Sequence, residues 1–575
     1  MSFQDSGMGK AGEPNAMGGG GESPSARSTP QRFAAGHKQI GLFYLWLALG
    51  AVFIGMLLSL TLRIGALSGF ASSPERGSLL AVLHGSLMVF FVLTTAPQAG
   101  FGTYFLPLQI GAREMAFPTL TTGAFWATVG SLAGMASAFG VPVKAGLNLW
   151  IASAAIFCLA GLANAINFSV TAINLRGEGM TLPRLPLTAW GWLLNALLSF
   201  LIYSILLAAC ALLLSDRFAG THFFRVFSAA RGPGGAAPLP ETTYGVATLW
   251  QRLFWFFAQA QVYVAMLPCF GIVTHLLATF SRRPVWRERA VVLALCAVGV
   301  FGFCIWGGHM FSSGLNPFSP LVFALLASSL GVPALVLIMS WLATLWGARV
   351  HLSTAMLFAL GFVSLFLSGG LSGIFLARQN LPADASTDDF TAGHFHLVMG
   401  VAATFAILGA LFFWFPKLFG RRLNEPLGKV HFWLTFAGVH CVFIPMHWLG
   451  LIHHTEMYSW TRAAAVQMWL PALHRFIAVA ALGTAAAQII FLANFSLSLV
   501  AGEPAKECNP WRATTLEWRV PSPPPGDDFG ERAPAVYRGA YEFYPPGPQP
   551  QPAIDFVPQH LTPEQAPALL RREEH

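Results

Sequence analysis

Three histidines have the type and placement for metal chemistry: His84, His394 and His396. Each sits inside a long apolar run, where an ionisable group is costly and a functional role is the default reading. One phenylalanine separates His394 from His396, and at about 100° per residue that spacing aims the two imidazoles roughly 200° apart on a helix. They cannot share one metal ion. They can serve two porphyrin irons on opposite faces, with His84 reaching across from another helix to complete six-coordination at one of them. A lone buried histidine is more often a hydrogen-bonded core residue, and spacing alone leaves both readings open.

The elements that must position these rings follow from composition. Of 575 residues only 10% are charged, against roughly 25% in a soluble domain, which excludes a soluble fold. The 55% apolar content is enough for about twelve spans of about 20 residues. Apolar runs centre near residues 51, 92, 129, 160, 200, 264, 300, 331, 364, 405, 441 and 486, so the expectation is an all-α integral membrane protein with about twelve transmembrane helices. Residues 1–36 are Gly, Ser and Pro rich, without the hydrophobic region of a signal peptide, and read as a disordered cytoplasmic tail. Residues 37–502 form the membrane domain, and residues 503–575 an irregular Pro-rich tail, also cytoplasmic.

With the N-terminus inside, the inner connections carry Arg113, Arg176, Arg184, Arg282, Arg283, Arg287, Arg289, Lys417, Arg421, Arg422 and Lys429, as the positive-inside rule requires. The loop after span five, with Arg217, Arg225 and Arg231, runs against the pattern. The net charge of +8 is thus assigned to topology and not to nucleic acid. In this topology spans two and ten both run inward, so His84, His394 and His396 share one depth in the outer part of the bilayer. The seven cysteines lack CxxC spacing and read as core residues.

Local motifs sharpen the picture. LHGSLMVFF (83–91), GFGTYFLPLQIGAREMAFP (100–118), IWGGHMFSSG (305–314), GHFHLVMG (393–400), FWFPKLFG (413–420) and NPWRATTLEWRVPSPPP (509–525) occur in family order over nearly the whole chain. By these the chain resembles subunit I of the haem-copper oxidases, in the cytochrome c oxidase branch. The resemblance implies a twelve-helix haem-binding bundle, with His84 and His396 as the axial pair of a low-spin haem and His394 as the ligand of a high-spin haem. The haem type, a or b/o, is left open. It further implies partners like oxidase subunits II and III, cytochrome c or another electron donor, and a bacterial cytoplasmic (inner) membrane location.

The departures from the family pattern are as informative. Where the family has Gly-His-Pro-Glu-Val-Tyr, this chain reads Ala258-Gln259-Ala260-Gln261-Val262-Tyr263. Tyr263 and Gln259 are therefore the candidate catalytic positions, without the usual cross-link partner and proton-delivering Glu. The adjacent His pair becomes Gly308-His309, leaving His309 as a residual copper B position. One imidazole beside a carboxamide is a poor copper site, so copper B is expected to be absent or weak. Glu114 stands where an Asp usually opens one proton path, and Leu337 where a second path carries its Lys; no Asp or Glu lies inside an apolar core. Ser386 and Thr387 replace a magnesium-holding His-Asp pair, and Glu456 and Met457 an Arg pair on the haem propionates. His440, His447 and His454 recur every seven residues on one helix face beside His453, which reads as a polar stripe at a subunit contact or rim, or as a new metal or propionate site. Three functions stay open: oxygen reduction through the two haems, a non-pumping electron relay or diatomic-gas binder, and a structural or regulatory pseudo-oxidase subunit.

Overall fold

The computed structural model describes residues 36–68, 74–224, 244–306, 318–376, 389–454, 464–526, 529–530, 533–543, 556–562 and 564–565. It is built from helices in the order α1 (His37–Ser68), α2 (Pro74–Ser86), a π-helical stretch (Leu87–Gly102), α3 (Thr103–Ile110), α4 (Pro118–Ser137), α5 (Val143–Asn174), α6 (Leu187–Phe218) and α7 (Tyr244–Ser281). There follow α8 (Glu288–Cys304), α9 (Phe318–Ser329), α10 (Gly331–Leu345), α11 (Thr354–Leu376), α12 (Asp389–Phe395), a short π-helical turn (His396–Gly400), α13 (Val401–Phe419), α14 (Glu425–His454) and α15 (Ala464–Ala501). Among the described residues there is no named strand; isolated bridges pair Arg421 with Pro504 and Phe543 with Phe556.

A helix covers each of the twelve expected centres. Ten stretches are long and apolar enough to cross a membrane. The other two centres fall in α8, with 17 described residues, and in α4, whose Thr, Gly and Ser content lowers its hydropathy. The chain is an integral membrane protein, and in hydrocarbon only a helix satisfies its own backbone polar groups within one span. His309, Ser386, Thr387, Glu456 and Met457 lie outside the described residues, as do the side chains of His453 and His454.

Large side chains interlock the spans. Trp192, Trp341, Trp414, Phe91, Phe105, Phe358 and Phe362 are among the fully buried ones, and Phe105 stacks on Trp414 with ring centroids 4.4 Å apart. The π-helical stretch has its own side-chain signature. Thr94 and Thr95 hydroxyls donate to the carbonyls of Val89 and Phe90, five residues back, at 2.7 and 2.8 Å. A π-bulge is a frequent companion of functional sites, and here both π-helical stretches begin within three residues of a candidate ligand, His84 or His396.

The segment after α15 does not stand apart. Leu516, Trp518, Val520, Val536 and Tyr541 are buried in the same apolar cluster as the helices. Inner-loop bases hold it by backbone carbonyls: Arg184 donates to Val536 O at 3.0 Å, Arg282 to Arg512 O at 2.8 Å and Arg421 to Gly502 O at 2.7 Å.

Candidate functional site

The three histidines share one hydrogen-bonding rule. His84, on α2, places Nδ1 2.8 Å from the Gly55 carbonyl of α1. His394, on α12, places Nδ1 3.0 Å from the Gly369 carbonyl of α11. His396, at the start of the π-helical turn, places Nδ1 2.7 Å from the Ala392 carbonyl. A carbonyl only accepts, so in each ring Nδ1 carries the proton and Nε2 keeps its lone pair. This is the tautomer an iron-ligating imidazole needs, with its orientation held by the outer hydrogen bond.

The i, i+2 spacing separates the two rings as expected. His394 turns to α11, where Ser372 Oγ is also 3.0 Å from its Nδ1. His396 instead stacks on Phe443 of α14, centroids 4.6 Å apart and planes 11° apart. His394 and His396 thus face different helices, α11 and α14.

Inward of the His84/His396 pair lies an apolar cleft of about 940 Å³, partly open, lined by residues that include Leu45, Phe53, Val92, Thr404, Gln488 and Phe495. Val92 and Thr404 follow His84 and His396 by eight residues each, roughly 10–12 Å along a helix axis. An imidazole with a free Nε2 lone pair is the donor that a porphyrin iron takes; neither His84 nor His396 lines this cleft itself.

The Gln259/Tyr263 region has a different character. The Gln259 amide nitrogen is 3.5 Å from Tyr263 Oη, one turn on along α7. The Tyr263 ring lies against Gly302 of α8, where a Cβ would stand 2.2 Å from the ring. Among the described residues no group of three or more His, Cys, Asp or Glu side chains is arranged to hold a metal ion. Gln261, two residues before Tyr263, donates to Thr94 Oγ1 at 2.6 Å. Near Thr94 a pocket of about 410 Å³ is lined by hydroxyls and amides that include Tyr44, Thr95, Gln98, Asn164, Asn195 and Tyr203, with no carboxylate. Gln98 Oε1 and Asn195 Nδ2 are buried without a protein partner, the condition that ordered water relieves in a polar cavity.

Two charged groups in this architecture escape a reading of the histidines alone. Arg63, near the outer end of α1, has Nη2 3.3 Å from Met446 Sδ and is felt by His396; a lone cation inside an apolar span was the available signal. Glu517 comes from outside the spans, is fully buried, and accepts from Gln109 Nε2 at 3.0 Å, with His275 Nε2 3.8 Å away. Burial pushes its carboxyl above the usual range, opposed by hydrogen bonds led by that from Gln109. The search for acids within apolar cores was bound to pass over it.

Residues 39–486 match the family described as cytochrome c and quinol oxidase polypeptide I. The alternative cytochrome c oxidase subunit 1 of Bradyrhizobium diazoefficiens is 39% identical over 509 residues, 84% of each chain. The cytochrome c oxidase subunit 1 of Synechocystis is 36% identical, over 89% of this chain and 92% of its own. A solved heme-copper terminal oxidase dimer shares the fold, with a TM-score of 0.65 at 15% identity over 81% of this chain and 84% of that one. By the family match and the sequence relatives, the chain belongs to the cytochrome c and quinol oxidase polypeptide I family, the haem-copper oxidase subunit I proteins.

Proposed function

We propose that this chain is the dihaem subunit of a respiratory terminal oxidase complex, with His84 and His396 as the axial pair of a low-spin haem and His394 as the protein ligand of a high-spin haem. The observation that carries the reading is the shared tautomer: three imidazoles on two neighbouring spans, each with Nδ1 held by a backbone carbonyl and Nε2 left for iron. The haems supply one-electron transfer and, opposite His394, a coordination position for a diatomic ligand. The protein's part is to fix the rings and to surround them with apolar helix faces. The haem type, a or b/o, stays open.

At the copper B position this reading gives weak binding or none. Gln259 offers an amide that engages Tyr263, and His309 is left as the remaining imidazole of the motif; divalent copper prefers more nitrogen donors than that. Held by His84 and His396 and by His394, the two haems would supply one-electron transfer from the low-spin to the high-spin site; the residues at the copper B position do not support ordinary four-electron turnover, and the apolar spans offer no carboxylate relay for pumping. The Gln259–Tyr263 contact favours the second reading, an electron relay or diatomic-gas binder, over a purely structural subunit. Partners resembling oxidase subunits II and III, cytochrome c or another donor, a bacterial inner membrane and cytoplasmic termini complete the proposal.

The test is iron and copper per chain, the carbon monoxide difference spectrum of the reduced protein, and oxygen uptake with reduced cytochrome c. Two irons, little copper, a carbon monoxide shift and negligible uptake are expected. Stoichiometric copper with rapid uptake would overturn the weak-copper reading, and absence of haem would overturn the dihaem one. His394→Ala should abolish the carbon monoxide spectrum and keep the low-spin haem; His84→Ala should do the reverse.

A further inference from the structure

We propose that Ser372 and His447 are positioning residues for the high-spin haem, forming with His394 a directional hydrogen-bond relay that sets the donor strength of the axial imidazole. The inference rests on His394 as iron ligand and goes beyond it.

The direction of the relay follows from its acceptor-only ends. His394 Nδ1 is 3.0 Å from both Gly369 O and Ser372 Oγ. Because the carbonyl cannot donate, Nδ1 carries the hydrogen and Ser372 Oγ accepts a share of it. At the far end His447 Nδ1 is 2.7 Å from Phe443 O, so that nitrogen too is the protonated one. The Nε2 of a neutral His447 is then an acceptor, and it lies 3.1 Å from Ser372 Oγ. The Ser372 hydroxyl hydrogen has two takers, His447 Nε2 and Gly369 O at 2.7 Å. The Gly369 carbonyl is the nearer acceptor and His447 Nε2 competes for the same hydrogen; the share donated to His447 polarises the hydroxyl oxygen and strengthens its pull on the His394 N–H.

Packing holds the second imidazole in place. The Phe390 ring meets His447 edge-on at 4.9 Å and 75°. A Cβ on Gly393, the residue before His394, would stand 2.8 and 2.9 Å from His447 ring atoms, so the close approach of α14 to α12 depends on that glycine. Ser372 is itself buried. His440, seven residues earlier on α14, returns its Nδ1 to Phe436 O at 2.7 Å and takes no part. Of the two rings described in the seven-residue stripe, His447 reaches Ser372 of α11.

An imidazole whose N–H is drawn toward acceptors acquires imidazolate character, which favours ferric over ferrous iron. Outer partners of a metal-bound histidine are typically worth about 10-fold or more in affinity. A tenfold bias between the two iron states corresponds to about 59 mV for one electron.

The experiment uses the intact, haem-loaded protein and reads the iron–imidazole stretching band of the ferrous high-spin haem together with both haem midpoint potentials. Ser372→Ala and His447→Phe should lower the stretching frequency and raise the high-spin potential by about 59 mV, leaving the low-spin potential in place. Ser372→Thr and His447→Gln, which keep a hydroxyl and an acceptor, should return both values toward wild type. If the wild type shows the band, His394→Ala removes it, and Ser372→Ala and His447→Phe leave band and potential unchanged, the relay is wrong and the ligand assignment stands. If the wild type shows no five-coordinate imidazole haem, both fall together. Should the truncated variants lose haem altogether, Ser372→Cys, a weaker hydrogen-bonding group of similar size, decides: an intermediate shift supports the relay and no shift refutes it.

Discussion

The acceptor-only carbonyls of Gly55, Gly369 and Ala392 each fix a tautomer and a ring direction at one of the three candidate histidines, the form the proposed haem ligation requires. The same scale explains what the Gln259 position has become. A carboxamide at hydrogen-bond range of a phenol can orient that phenol, and Gly302 leaves the space its ring occupies. Gly302→Ala should therefore cost about 1–3 kcal/mol, the usual penalty for overpacking a filled site. It should also displace Tyr263, seen as a lower thermal midpoint of the detergent-solubilised protein and a shifted carbon monoxide band. An unchanged midpoint and spectrum would show that the contact is slack.

Helices carry the candidate histidines, but an irregular segment packs over the end of the bundle that bears Arg184, Arg282 and Arg421. Arg184, Arg282 and Arg421, read from sequence as topology signals, also donate to carbonyls at or beyond Gly502, and Lys417 lies 5.0 Å from the Trp518 ring. This cap titrates in two senses. His560 is lowered to about 4, by burial first and by Arg519 second; an unfolded His titrates near 6.5. The unfolded cap binds the extra proton between those values, so the His560 contribution is full above about 6.5 and is lost as pH falls toward 4. Glu517 has the opposite sign: its raised carboxyl stabilises the cap below the ordinary carboxylate range and loses that contribution as pH rises through its folded value. Limited proteolysis of the cap in vesicles should show faster cleavage on acidification from pH 7 to 5. His560→Gln should flatten that dependence, and Glu517→Gln, which removes the opposing contribution, should steepen it. Equal cleavage rates in all three proteins across the range would refute the assignment.

At the scale of the whole molecule, ten stretches meet the length and apolarity needed to cross a membrane, and helices occupy all twelve expected centres. The basic loops and the C-terminal cap share one face through the arginine contacts, which the positive-inside rule assigns to the cytoplasm. Cys508 is an exposed thiol on that cap. A membrane-impermeant maleimide should label it in inverted vesicles and spare it in right-side-out ones. The reverse pattern would invert the topology and move the three ligand histidines to the inner half of the bilayer.

Sequence by itself determined the class of the fold and the run of helices, because apolar length and a 3.6-residue repeat are local properties, and it singled out His84, His394 and His396 as candidates, because a histidine in hydrocarbon stands out against its neighbours. The Gln259 and Gln261 substitutions were legible for the same reason. Only tertiary structure decided that Gly55, Gly369 and Ala392 offer their carbonyls to Nδ1, that His447 faces Ser372 while His440 does not, and that Glu517 is drawn from a Pro-rich segment into the core. Such contacts join residues as much as 408 positions apart, as Gln109 and Glu517 are, and depend on helix rotation and close approach at particular glycines, which no local pattern along the chain encodes.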